Sequence, residues 1–504
     1  MKKSFVLRIG YLLAWVLLFS PPFLIQTTTR QAGYILLSAL FFFPLALYRK
    51  SLAISAGVLI FLGSLNIFHA QFLGSLIDEF AIATVMRTES HEVMEFLDLI
   101  NITMILSLLA WVTISSACGL FLWRHRDSQQ LAFPKQNRFM KAGIGLLWAG
   151  FFLFGMATQS RGKDYLYRLR NFYPVPMVQA GVRYGEITHS IFYTPQLPAA
   201  APEKSPVRTL VVVIGESASG QRWSMLGYEG EDTNQSLRNI DHLQVHKVLA
   251  NGTNTAQALP YILTGQSAAD SQRNAAPSFL DLAKHAGYKT FVFSNSRFFD
   301  KTEDLYSQIL RRSADVYRKA GNGAHDEVMT PLLEQALADT APYKLIVLHT
   351  YGSHPDIAKR YPASRYPGAD AYNNSIRYTS DLLARWIGLI DAASEAPSAM
   401  LYVSDHGLSV PPCVESPRHG RDRAVFEVPL AYWANAALSK VQGQDWLKQA
   451  DGRLEHSTSL APALLARAQG YELQAAMPQL QDSRLLQIEG RPYAQLFRQD
   501  SCKP

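Results

Sequence analysis

The sequence predicts a bundle of membrane helices followed by an α/β domain with a mostly parallel central sheet. Long apolar stretches run up to about Thr158 of the 504 residues, and β-rich runs alternate with helical periodicity beyond it. Three of those runs end in residues able to do chemistry, at the strand ends where open α/β sheets bind ligands. Three regions are therefore expected: a membrane part (1–158), a bridging segment with a linker (159–206) and a catalytic domain (207–504).

Crossing a bilayer core of about 30 Å takes roughly 20 apolar residues. Five segments approach that length: Phe5 to Ile25, Ala32 to Tyr48, Leu52 to Phe72, Ile102 to Trp123 and Ala142 to Ala157. The first has basic Lys2, Lys3 and Arg8 ahead of it, as a signal peptide does. It is long and followed by more apolar segments, so a retained helix is expected. Arg49, Lys50, Arg124, Arg126, Lys135 and Arg138 fall in loops on the same side as the N-terminus, whereas the alternate loops are mostly acidic. By the positive-inside rule the N-terminus is cytoplasmic, and five crossings put everything after about Gln159 outside the cytoplasm, which in a Gram-negative bacterium would be the periplasm. Phe80 to Leu97 has apolar residues at helical spacing among acids, which suits an amphipathic helix at the outer interface.

The net charge of +7 does not point to nucleic acid. No Lys/Arg run with interleaved aromatics occurs, and much of the positive charge flanks apolar segments. Cys118, Cys413 and Cys502 are too few for a disulfide framework, and spacing does not decide whether the last two pair.

Gln196 to Pro206 (QLPAAAPEKSP) reads as an extended linker. Strands are expected at Thr209 to Ile214, Thr290 to Ser294, Leu345 to His349 and Met400 to Ser404, with helices such as Pro277 to Ala286 and Ile376 to Ile390 between them. The first run empties into Glu216 and Ser217, the third into His349, Ser353 and His354, and the fourth into Asp405, His406 and Gly407. Glu216, Asp405 and His406 offer two carboxylates and one imidazole. That donor set suits Zn²⁺ or Mn²⁺ in a catalytic site with one open position. A hydroxyl in Asn251 to Ala256 (NGTNTA) would sit at a helix N-terminus, where backbone N–H groups favour a phosphoryl oxygen. Spacing leaves Thr253, Thr255 and Ser217 all open as the nucleophile.

GESASGQRWSMLGY (from Gly215), NGTNTAQALPYIL (from Asn251), HTYGSHPDIAKRYP (from His349), YNNSIRYTSDLL (from Tyr372) and SDHGLS (from Ser404) together resemble, in order and spacing, the phosphoethanolamine transferases of the alkaline phosphatase and sulfatase superfamily. The five-segment N-terminal layout is similar too. The resemblance implies an inner-membrane enzyme with an alkaline-phosphatase-like domain. Glu216, Asp405 and His406 would bind zinc, with Thr255 as the metal-bound nucleophile. His354 and His419 would hold the phosphoryl group or a second zinc, and Asn295 and Ser296 would lie in a substrate-contacting segment. The implied donor is phosphatidylethanolamine and the implied acceptor a lipopolysaccharide component, lipid A or an inner-core sugar.

Family members often carry cysteines beside the nucleophile loop and a Glu after Asp-His-Gly; Asn251, Tyr261 and Leu408 stand there in this chain. Three alternatives remain. A glycerophosphate transferase would share these motifs. A sulfatase-like phosphodiesterase would use water as acceptor, although the C/S-x-P-x-R context of sulfatase nucleophiles is absent near Thr255. A catalytically inert membrane-anchored binding module would be expected to have lost a ligand, and none of the four is missing.

Overall fold

The computed structural model describes residues 2–25, 29–73, 100–126, 172–189, 194–267, 274–296, 305–321, 325–368, 370–440 and 457–472, together with 76–78, 81–82, 85, 143, 146–148, 150, 270, 487–488, 491–492 and 502. It divides into two compact units, Met1–Glu186 and Ile187–Pro504.

The first unit is helical. Arg49–Gln71 and Ile102–His125, of 23 and 24 residues with a mean hydropathy of 2.0, are long and apolar enough to cross a bilayer. Of the five expected spans, only these two reach that length among the described residues. The first expected span breaks into Lys2–Leu17 and Pro21–Ile25. Pro21 disfavours helical backbone at the residue before it and starts a new turn instead. The second forms Thr29–Ala46, whose apolar stretch Gln31–Ala46 is shorter than a full crossing. Most of Ala142 to Ala157 and of Phe80 to Leu97 lies outside the described residues.

Several polar groups within this unit find partners elsewhere in it, as an apolar medium favours. The indole N–H of Trp15 donates to Ala39 O at 2.8 Å, and the Tyr11 hydroxyl donates to Ala46 O at 2.9 Å. Asn66 accepts from the Ile77 N–H at 3.1 Å. Ile54, Phe61, Leu106 and Leu120 instead expose large apolar side chains, as lipid-facing positions do.

The second unit is built on a sheet of seven strands in the order β2-β7-β6-β1-β5-β3-β4. The strands are β1 (Thr209–Gly215), β2 (Leu243–Leu249), β3 (Lys289–Ser294), β4 (Val316–Lys319), β5 (Lys344–His349), β6 (Ser398–Ser404) and β7 (Glu427–Ala434). β1 pairs in parallel with β5 and β6, and β3 with β4 and β5, whereas β7 runs antiparallel to β6 and β2. The sheet is thus mixed, with β7 alone reversed. β1, β5 and β6 are almost entirely buried, which explains their continuous apolar runs.

The long helix Ala371–Ala393 covers this sheet with Ile376, Leu383, Trp386 and Ile390, all buried in the same core as Val211, Ile346 and Met400. Asp370 caps it by accepting from the N–H groups of Tyr372 and Asn373. The paired registers Gly215 with Ser404, Ile214 with His349 and Ser294 with His349 align four strand ends on one edge. Everything that follows those ends is brought to the same place.

Candidate metal centre

At the end of β1 the backbone turns through Ser217 in the left-handed region, with φ of +58°. The neighbouring end of β6 supplies Asp405, whose N–H donates to Gly215 O at 3.1 Å. Glu216 and Asp405 are therefore adjacent because β1 and β6 are adjacent. One ligand atom each from Glu216, Asp405 and His406 lies within 4.8 Å of the others, and all three residues are buried.

His406 donates through Nδ1 to the Gly407 carbonyl at 2.9 Å, which leaves the Nε2 lone pair facing the carboxylates. Nε2 stands 3.4 Å from Glu216 Oε1 and 3.6 Å from Asp405 Oδ2. Asp405 Oδ1 accepts from the N–H groups of Ser217 and His406, whereas Asp405 Oδ2 and His406 Nε2 are buried with no hydrogen-bond partner. Burial, with the Asp405 charge beside it, pushes Glu216 up to about 8, and burial pushes Asp405 up to about 6. Two buried carboxylates and a lone pair converging without a counter-charge are the environment a divalent cation satisfies. The residues present fit a metal ion.

The three candidate hydroxyls separate by direction. Thr255 begins the helix Thr255–Thr264, which Asn254 caps by accepting from Gln257 N–H and which Gly265 closes in the left-handed conformation. Its hydroxyl donates to Glu216 Oε2 at 2.9 Å, and the residue is only half-buried. Thr253 turns its hydroxyl to Gln257 Oε1 at 3.2 Å. Ser217 is fully buried and donates to Glu216 Oε1 at 2.6 Å. Among the three, Thr255 combines contact with the centre, partial exposure and a helix N-terminus.

His419 follows a short bridge between Ser409 and Arg418, and its ring centroid lies 5.4 Å from that of His406. Burial and the neighbouring His406 hold it down to about 3. His354 stacks on Tyr351 with ring centroids 4.6 Å apart, and burial together with Arg360 and His419 keeps it well below the usual histidine range. Both imidazoles are neutral at pH 7. Asn295 and Ser296 are buried after β3; Asn295 Nδ2 donates to Asp326 Oδ1 at 2.8 Å, and Ser296 N–H donates to Ser294 Oγ.

Asp326 is a residue that sequence reasoning missed. Its carboxylate accepts from Tyr351 N–H and Gly352 N–H, both at 2.8 Å, and so shapes the loop that carries His354. Nothing in AHDEVM distinguishes it from a surface acid. Tyr372 is another. Its hydroxyl donates to Ser217 O at 2.6 Å and accepts from Ser219 N–H at 2.7 Å, which fixes the turn after Glu216. The block from Tyr372 was visible as a motif without revealing this task. Cys413 and Cys502, left undecided by spacing, form a disulfide that fastens the loop leading to His419.

Glu216, Asp405 and His406 thus form a group that could hold a metal ion, with the Thr255 hydroxyl at a helix N-terminus bonded to it. The chain belongs to the sulfatase family, whose sequence model matches residues 208–471. Among similar proteins, the putative transferase YhbX of Escherichia coli strain K12 is 29% identical over 245 residues, 46% of this chain and 44% of that protein. This chain thus spans less than half of YhbX. The phosphoethanolamine transferase EptC of the same strain is 25% identical over 515 residues, 87% of this chain and 86% of EptC. The C-terminal periplasmic domain of E. coli EptC, solved as a complex with Zn, matches with a TM-score of 0.50 at 22% identity, covering 58% of this chain and 92% of that domain. The integral membrane protein EptA of Neisseria meningitidis, a lipooligosaccharide phosphoethanolamine transferase, matches with a TM-score of 0.60 at 18% identity over 94% of this chain and 97% of EptA. That last likeness extends the shared fold through the helical unit.

Proposed function

We propose that this chain is a phosphoethanolamine transferase of the bacterial inner membrane. In this reading it moves phosphoethanolamine from phosphatidylethanolamine to a lipopolysaccharide component, lipid A or an inner-core sugar, through Thr255. The observation that carries the reading is the Thr255 hydroxyl, set at a helix N-terminus and hydrogen-bonded into the Glu216, Asp405 and His406 cluster. The similarity to EptC over most of both chains supports the group transferred.

Glu216, Asp405 and His406 would hold zinc, in line with the Zn complex of the EptC domain. Such an ion supplies positive charge that lowers the pKa of a nearby hydroxyl and offsets charge on phosphoryl oxygens. In the first half-reaction Thr255 Oγ1 forms a bond to phosphorus while the bond from phosphorus to the glycerol oxygen breaks. The proton lost by Thr255 balances the one taken up by the departing diacylglycerol. In the second half an acceptor hydroxyl or phosphate oxygen bonds to phosphorus as the bond from phosphorus to Thr255 Oγ1 breaks. A neutral imidazole, His354 or His419, would take any proton the acceptor loses, and one proton returns to Thr255 Oγ1 to restore its hydroxyl. Backbone N–H groups at the start of Thr255–Thr264 would face the phosphoryl oxygens of a donor held there. Asn295 acts through Asp326 on the loop bearing His354.

The Cys413–Cys502 disulfide supports an oxidising compartment for the catalytic unit, consistent with a periplasmic location and a cytoplasmic N-terminus. A lipid donor suits a domain tethered beside the bilayer without cytosolic nucleotides. Mass spectrometry of lipid A and core oligosaccharide from cells with and without the protein tests the reading. A phosphoethanolamine increment that depends on the protein is expected, and its absence from every envelope glycan would remove the acceptor assignment.

A further inference from the structure

Residues 250–254 connect the edge strand β2 to the helix that begins at Thr255, so whatever holds this loop sets where the Thr255 hydroxyl points. Backbone bonds tie its start: Ala250 N–H donates to Phe426 O at 2.7 Å, and Thr458 N–H donates to Leu249 O at 2.8 Å. Past Leu249 the link to the segment at 457–459 passes to side chains. Asn251 Oδ1 accepts from the Thr458 hydroxyl at 2.9 Å and from the Ser459 hydroxyl at 3.3 Å. All three residues are almost completely buried.

Ser459 precedes the helix Leu460–Ala468, where a serine ordinarily turns its oxygen back to cap the first turn. Here it makes no such cap bond, and its hydroxyl is directed to Asn251 instead. The helix that follows is anchored in a core with Leu282 and Tyr471 through Ala463 and Ala466, so Asn251 is tied to a rigid support.

We propose that Asn251, Thr458 and Ser459 form a polar brace that positions the nucleophile loop, with Asn251 as a positioning residue for Thr255. This rests on the reading of Thr255 as nucleophile. Removing a hydroxyl from the brace lets the loop sample orientations in which Thr255 Oγ1 leaves Glu216, which slows the chemical step while the ligand cluster stays intact. A net hydrogen bond corresponds to about tenfold in population.

Thr458→Val removes the hydroxyl at nearly constant shape, and Thr458→Ser keeps it. In the full-length protein in phosphatidylethanolamine vesicles, Thr458→Val should form the phosphoethanolamine adduct on Thr255 about tenfold more slowly in a single turnover. Zinc content and KM should be unchanged, and Thr458→Ser should restore the rate. Amide hydrogen exchange at 252–256 should accelerate in Thr458→Val and in Asn251→Ala relative to β1. Faster exchange with an unaltered adduct rate overturns the catalytic role, and unaltered exchange overturns the brace itself. If the wild-type protein forms no adduct on Thr255, the proposed function fails separately, and the exchange measurement still decides whether the brace holds the loop.

Discussion

Thr255 donates its hydroxyl to Glu216 Oε2 at 2.9 Å across 39 residues of sequence, joining a helix N-terminus to the end of β1. The bond exists because β1 sits between β5 and β6 in the sheet and because Asn254 fixes the first turn of the helix. Thr255→Ala should abolish the covalent adduct and lower transfer by on the order of 10³-fold or more, whereas Thr255→Ser should keep part of the activity. Peptide mapping after incubation with phosphatidylethanolamine checks this. An adduct that persists in Thr255→Ala, or that maps to Ser217, overturns the assignment.

Asp405 Oδ2 and His406 Nε2 are buried and unpartnered, so cation binding should be coupled to stability. Zinc at about 1,000 times its dissociation constant would stabilise the catalytic unit by about 4 kcal/mol. Wild-type protein should hold about one ion per chain, and chelation should lower its melting temperature. Asp405→Ala and His406→Ala should lose both the ion and the chelator sensitivity. A melting temperature indifferent to zinc in the wild type would contradict the centre.

The sequence made β1, β3, β5 and β6 legible because each is a short apolar run bounded by turn residues, and their polar exits marked Glu216, Asp405 and His406. Three strands escaped it for physical reasons: β2, β4 and β7. β4 is only four residues long, with Arg318 and Lys319 at its end, and lies at the sheet's edge. β2 is an edge strand, and His246 and Lys247 interrupt its apolar pattern. β7 contains Pro429, which argues against a central strand until the register is known: the pairing with β6 ends at Leu430, and Pro429 lies opposite Lys247 of the edge strand β2 only. Choosing among Thr253, Thr255 and Ser217 needed side-chain direction, which spacing does not carry. Asp326 and Asn251 work through folded contacts with residues distant in sequence, so neither left a local pattern.

Gly352 has φ of +47°, and a Cβ there would stand 2.5 Å from Glu216 O. Its neighbour Ser353 also donates its N–H to that same carbonyl at 2.9 Å. Gly352→Ala should therefore strain two backbones at once and displace Glu216. A loss of roughly 1–3 kcal/mol is expected, with weaker zinc retention. Denaturant unfolding and metal analysis check both, and a change within about 0.5 kcal/mol, ordinary for a neutral surface site, would show that the contact relaxes freely.

Cys413 and Cys502 close a loop of 89 residues in sequence. Cross-links of that span stabilise by about 2–4 kcal/mol, chiefly through the unfolded chain. Cys413→Ala should lower the melting temperature and slow transfer, since Cys413 shares a loop with His419. Reducing the wild-type protein should reproduce the stability loss and leave the variant unaffected. Equal sensitivity of both proteins to reductant would dissociate the bond from the effect.

His349 sits at the end of β5, paired in register with Ile214 and Ser294, and its Nδ1 lies 3.0 Å from Ser294 Oγ. Burial alone lowers it to about 4. An unfolded histidine titrates near 6.5, so between pH 6.5 and 4 the unfolded chain binds a proton that the folded chain refuses. The stability this neutral ring allows is complete above pH 6.5 and is lost as pH falls toward 4, by at most about 1.4 kcal/mol per pH unit and roughly 3 kcal/mol in all. His349→Asn cannot take up that proton, so its unfolding free energy should fall less steeply over this window than that of the wild type. The comparison is best made by denaturant titration in the presence of chelator, so that ligand protonation does not release an ion. Parallel pH profiles for the two proteins would mean that His349 already carries its proton in the folded state, and that its contact with Ser294 is made by an imidazolium.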